Sequence, residues 1–162
     1  MAYQGLEVYL TDHLAGATAG VNLADMAAQE HRAHEHGAFF GEIASEIKAD
    51  YETLEKLIAE LGVQKSATKT AAAEVGSKMM APKFVGGGDD ELNAFITLET
   101  LYMGIEGKVS MWKALKTVED AYPTLGSYGL DDLIARGESQ RERIEAARLQ
   151  IAPQALAHTA NV

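Results

Sequence analysis

Apolar residues recur every three or four positions along nearly the whole chain, and this period is what most limits its possible folds. Such spacing places apolar side chains on one face of an α-helix. No segment shows the apolar and polar alternation of a half-buried β-strand. The pattern predicts long helices near residues 4–30, 37–61, 90–118 and 130–151, and a short one near 67–80. The sequence therefore predicts an all-α protein.

Glycine and proline interrupt the helical pattern. We expect Gly62 to end the second helix in a left-handed conformation and Pro153 to end the last helix. Gly16 and Gly20, four apart on the first segment, are expected to let another helix approach closely. The three glycines at 86–88 form the clearest break. Two helical hairpins on either side of such a break are compatible with a long crossover in a single domain over residues 1–162.

The composition excludes several classes of protein. The chain of 162 residues has no cysteine, which excludes disulfides, thiolate metal sites and cysteine nucleophiles. Its net charge of −10 disfavours nucleic acid and anionic membrane surfaces as partners. No apolar run approaches the roughly 20 residues that a membrane-spanning helix needs. We expect a cytoplasmic protein that binds neither nucleic acid nor membrane.

Charged residues fall within the apolar faces of the long segments. Helical periodicity assigns Asp50, Glu99, Glu106 and Arg141 to the buried side, with His13 at an edge. An unpaired buried charge costs several kcal/mol, so these groups must satisfy one another or bind a cation. We predict an internal network in which Arg141 pairs with Asp50 or with one of the glutamates.

A metal centre is the alternative use of these carboxylates. Iron or manganese would suit a ligand set made of His13, Glu46, Asp50, Glu99 and Glu106. Because Arg141 would compete electrostatically with a metal at the same depth, ion pairing is favoured and no cofactor is expected. A separate metal site at the surface would use His31, His34 and His36.

The long hairpins, the crossover and the inward carboxylates resemble the ferritin-like superfamily. Residues 9–17, 98–108 and 112–115 resemble a bacterial family of such bundles, and the likeness extends from about residue 9 to residue 156. This resemblance implies a ferritin-like four-helix bundle with a long crossover and a short additional helix, and it implies no particular activity. Di-iron members place glutamate three residues before histidine on two helices. None of the five histidines here has that glutamate, which argues against a native di-metal site.

Three functions stay open. The leading hypothesis is a non-catalytic bundle with a structural polar network that acts through self-association, as a homo-oligomer, or through a partner. The first alternative is a carboxylate-bridged iron or manganese protein that binds metal or acts as an oxidase. The second is a bundle that binds a small ligand in an apolar cavity between its helices, with specificity supplied by the same polar residues.

Overall fold

The computed structural model describes residues 4–63 and 90–157, which contain helices and no strand. Its helices are α1 (Gln4–Glu30), α2 (Gly37–Glu60), α3 (Asp90–Lys116), the single turn α4 (Pro123–Gly126) and α5 (Leu130–Ala157). A 3₁₀ turn, Glu119–Ala121, precedes α4. The prediction of an all-helical fold is confirmed for these two ranges. The predicted short helix near 67–80 and the glycines at 86–88 lie outside them.

Two helix ends test the expectations for glycine and proline. Gly62 has a φ of 70°, and its N–H donates to the Ala59 carbonyl, so α2 ends in the left-handed conformation that we predicted. Pro153 does not end the last helix, because α5 continues to Ala157. Ile151 and Ala155 stay buried against the other helices, and their packing offsets the one hydrogen bond that proline cannot donate.

The helix directions follow from the two ends of the core. At one end of the core, the last parts of α1 and α5 pack against the first parts of α2 and α3. This end includes Leu23, Phe40, Leu98 and Ile144. The other end joins the opposite parts of these helices, with a core that includes Leu10, Leu57, Trp112 and Leu130. Helices α2 and α3 therefore run in the same direction, and α2 ends at the opposite end of the array from the start of α3.

Helix α3 packs closely on α5, and Gly137 on α5 permits the contact. A Cβ atom at position 137 would lie 2.6 Å from Cγ2 of the buried Val109. Valine is branched at Cβ and has few rotamers, so it cannot easily turn away from an added atom. The two helices thus depend on glycine at this position.

Helix α1 packs less completely than the others. Its buried residues are Leu10 near its start and Leu23, Ala24 and Ala27 towards its end. The side chains between them are only partly covered, which leaves space beside the middle of the helix. Among the helices of the described ranges, none is long and apolar enough to cross a membrane.

Candidate functional site

An open cavity of about 960 Å³ lies between α1, α2 and α3, beside the middle of α1. We call it the central groove. Helix α2 contributes Ile47, Asp50, Tyr51 and Leu54 to its lining. Most of the lining on the other two helices is apolar and includes Leu23, Met26, Leu101, Ile105 and Met111. The groove is large enough for a small organic molecule.

Glycines from two helices help to keep the groove open. Gly16 and Gly20 line it from α1, and Gly104 and Gly107 line it from α3. A Cβ atom at any of these positions would have no heavy atom of a neighbouring described residue within 4 Å. The expectation that Gly16 and Gly20 allow close approach of another helix is therefore wrong. The missing side chains instead leave space in the groove.

Asp50 is the buried charge beside this groove, with 3% of its surface exposed. Its carboxylate accepts hydrogen bonds from Lys108 on α3 and from Arg136 on α5. It also accepts one from Gln140 Nε2 at 3.0 Å, and Lys108 donates in turn to Gln140 Oε1. Burial lowers the pKa of Lys108, while the Asp50 carboxylate acts to raise it. We call these four residues the Asp50 cluster.

The other members of the predicted network lie elsewhere. Glu106 does pair with Arg141, but their side chains are 46% and 28% exposed. Glu99 is exposed and pairs with Arg148 at 3.0 Å. These two pairs form a ladder along the edge between α3 and α5, and neither glutamate meets Asp50.

His13 is the remaining residue of the predicted network. It lines the central groove, and its ring packs edge-on against Tyr9 with ring centroids 4.5 Å apart. Burial lowers its pKa, although the neighbouring Asp12 carboxylate acts in the opposite direction. Because only Asp50 of the five residues is buried, the prediction of one shared internal network is wrong.

The predicted di-metal ligands are not gathered in one place. Glu46, for example, pairs with Arg143 at 2.5 Å. Within residues 4–63 and 90–157, the one group of three histidine or carboxylate ligands whose atoms lie within 4.8 Å of one another is Glu35, His36 and Glu91. The structure therefore does not assemble the set His13, Glu46, Asp50, Glu99 and Glu106.

The histidines predicted as a surface metal site do not converge on one point, although the rings of His31 and His34 lie edge-to-face with centroids 5.9 Å apart. His31 is buried, and its ring stacks on Phe40 with centroids 4.8 Å apart. His34 faces Asp90 at 3.8 Å, and His36 lies 3.2 Å from Glu35. The three imidazoles thus face different partners, and the predicted set of three is wrong.

The burial of His31 makes stability depend on pH. Burial lowers its pKa below the usual value of 6.5, and within the described part of the chain its Nε2 atom has no hydrogen-bond partner. Glu30 and Asp90 act to raise the pKa, whereas His34 and His36 act to lower it. The unfolded chain therefore binds a proton at His31 more readily than the folded chain does. The contribution of the neutral ring to stability is complete above pH 6.5 and is lost as the pH falls towards the lower pKa of the folded state.

We expect the thermal midpoint to decrease on acidification from about pH 7.5 to about pH 5, and to decrease less in His31→Phe, which keeps the stacked ring and removes the proton. Thermal unfolding followed by circular dichroism measures both. His13 is unchanged in the variant, so the difference reports on His31. Equal decreases in the two proteins would contradict the assignment.

Two N–H groups at the central groove have unused hydrogen-bonding capacity. Trp112 is fully buried, and its indole Nε1 has no hydrogen-bond partner among residues 4–63 and 90–157. Lys108 lies one helical turn earlier and also lines the groove. Its ammonium carries three N–H donors, of which Asp50 and Gln140 accept two. Since a buried donor without a partner costs about 1–3 kcal/mol, an acceptor that reached either group would be stabilising.

Comparisons with known proteins were made for the whole chain. No protein-family model, no curated protein and no solved structure matches it. The function is therefore argued from the geometry and chemistry of the groove.

Proposed function

We propose that this protein is a ferritin-like helical bundle that binds a small, largely apolar molecule in the central groove. The observation that carries the proposal is a cavity of about 960 Å³ with mostly apolar walls, lined by a tryptophan whose buried indole N–H lacks a partner in the two described ranges. Small-molecule sites typically enclose about 300–1,000 Å³, with apolar walls and a few polar groups that orient the ligand. The central groove has the size and the chemistry of such a site.

The directions of the helices support the ferritin-like part of the proposal. Helices α1 and α2 form one antiparallel pair, and α3 and α5 form another. Because α2 and α3 are parallel, the second pair begins at the end of the array opposite to where the first pair stops. Ferritin-like bundles join their two hairpins by one long crossover, which is the connection that this arrangement needs.

The ion pairs favour ligand binding over a di-metal centre. Each carboxylate of the hypothetical metal set is engaged by a basic side chain, for example Glu46 by Arg143 and Asp50 by Lys108. A metal ion would have to displace these cations and would experience their repulsion. The groove, by contrast, can accept an apolar molecule while every one of these pairs stays in place.

Filling the groove tests the proposal. Gly104→Leu introduces a side chain at a groove position where a Cβ atom meets nothing within 4 Å. Gly41→Leu is the matched control, because Gly41 lies on α2 outside the groove lining and has equally open surroundings. Both changes replace a helical glycine by a good helix former, so both should support folding.

We expect the full chain and Gly41→Leu to bind the apolar dye Nile red with increased, blue-shifted emission. Gly104→Leu should bind it about tenfold more weakly or worse, which corresponds to about 1.4 kcal/mol. Fluorescence titration gives the affinities, and circular dichroism verifies that each variant is folded. Equal affinity in all three proteins, or no binding by the unmodified chain, would overturn the proposal.

A further inference from the structure

We infer that the ligand of the central groove is an amphipathic carboxylate, whose carboxylate group lies at Lys108 and Trp112 and whose apolar body lies along the groove. The inference rests on the proposed function and extends it to a ligand class. It depends on the charges of the Asp50 cluster and on the two N–H groups with unused capacity, both independent of the groove's volume.

The Asp50 cluster carries one net positive charge. Lys108 and Arg136 are both basic, and both donate to the single carboxylate of Asp50. Gln140 adds hydrogen bonds and no charge. Glu46 also acts on Lys108 electrostatically, and it shares Arg143 with the more exposed Glu42. An anion beside Lys108 would offset the net charge of the cluster at its more enclosed cation, since the Lys108 side chain is 16% exposed and that of Arg136 is 40% exposed.

The hydrogen-bond donors of Lys108 and Trp112 favour an acceptor group on one face of α3. Lys108 and Trp112 are four residues apart on α3, and side chains at this spacing lie on the same face of a helix. Lys108 has a third N–H donor, and the Trp112 indole N–H is buried without a partner. A carboxylate has two oxygens, both acceptors only, so it can receive one bond from each residue. A neutral carbonyl would satisfy donors but would leave the charge uncompensated.

The outer part of the groove favours one orientation of such a molecule. Asp25 lies on α1 in the groove lining, next to Leu23 and Ala24 and therefore towards the end of the array opposite Trp112, and it carries the same charge as the ligand's carboxylate. Repulsion from Asp25 disfavours the orientation with the carboxylate beside it. The apolar side chains of Ala17, Leu101 and Met111 provide contacts for the alkyl or aryl body.

Three ligands with the same alkyl chain separate the contribution of the head group from that of the chain. Decanoate, decanol and decylamine are titrated into the full chain below their micelle concentrations. Trp112 is the only tryptophan of the protein and lines the groove, so its intrinsic fluorescence reports on occupancy. We expect decanoate to bind at least about tenfold more tightly than decylamine, with decanol between them.

Lys108→Met adds a second test, because it removes the ammonium and keeps an apolar side chain of similar length. We expect the affinity for decanoate to fall about tenfold and that for decanol to change little. The order of the three ligands in the unmodified protein does not depend on whether this variant folds. Decylamine binding as tightly as decanoate, or decanoate binding that is insensitive to Lys108→Met in a folded variant, overturns the inference. If Nile red still binds in those cases, the proposed function stands.

Discussion

Asp50→Ala should lower the free energy of unfolding by about 3–5 kcal/mol, because removing one partner from a buried charge pair leaves the other uncompensated. Lys108 and Arg136 would both lose their acceptor, and Lys108 is the more enclosed of the two. Chemical denaturation followed by circular dichroism measures the loss.

The same variant should show a second signature at alkaline pH. Asp50 acts to raise the pKa of Lys108 against the effect of burial, so removing Asp50 should lower this pKa further. The folded variant then releases the proton of Lys108 at a lower pH than the unfolded chain, whose lysine titrates near 10.5. Because the unfolded state binds more protons in that interval, the stability of Asp50→Ala should recover as pH rises through it.

Arg141→Met is the matched control for Asp50→Ala. It also removes one partner of an ion pair between helices, but the pair of Arg141 with Glu106 is largely accessible to solvent. Exposed pairs contribute little to stability, so we expect the thermal midpoint to stay nearly unchanged. Comparable losses of stability in Asp50→Ala and Arg141→Met would contradict the claim that the buried pair contributes more than the exposed one.

Gly137→Leu should be the second strongly destabilising change, with a loss of about 3 kcal/mol from overpacking the contact between α3 and α5. Its Cβ atom would lie 2.6 Å from Cγ2 of Val109, so the two helices would have to move apart. Gly41→Leu serves again as the control, since its Cβ atom meets no neighbour and its higher helix propensity favours folding. Urea denaturation compares them, and a Gly137→Leu protein as stable as the unmodified one would contradict the close contact.

The helices follow from the sequence because their cause is local. An apolar side chain every three or four residues specifies a helix wherever the neighbouring helices lie. The pattern anticipated the starts of α2 and α5 and the left-handed Gly62. It failed at Pro153, where the burial of Ile151 and Ala155 against other helices decides the outcome. Contacts of that kind cannot be deduced from one segment alone.

The ion pairs contain a signal that the sequence analysis did not use. Glu99 and Glu106 are seven residues apart on α3, and their partners Arg148 and Arg141 are seven apart on α5. In an antiparallel helix pair, this spacing predicts a ladder of opposite charges along one edge. A spacing of seven residues is therefore as compatible with a position at the boundary between two helices as with the inward position that we predicted for Glu99 and Glu106.

The sequence analysis did not identify Lys108, Arg136 and Gln140 as partners of Asp50, because a long polar side chain can start at a core-facing position and still reach a charged group. Lys108 follows the buried Leu101 by seven residues, and Gln140 follows the buried Leu133 by seven, so both were recognisable as core-facing positions. Lysine and arginine can run their stems along apolar surface while the charged end reaches a partner. The central groove itself was not predictable, since periodicity specifies the faces of helices and leaves the distances between them open.

The most direct test of ligand binding in the central groove is the ¹H–¹⁵N resonance of the Trp112 indole, recorded while Nile red is added to the full chain. The chain has one tryptophan, so the signal is unambiguous. We predict a shift that saturates with the dye and that is absent in Gly104→Leu but present in Gly41→Leu. A resonance that does not move while the dye binds would place the binding site elsewhere and contradict the proposal.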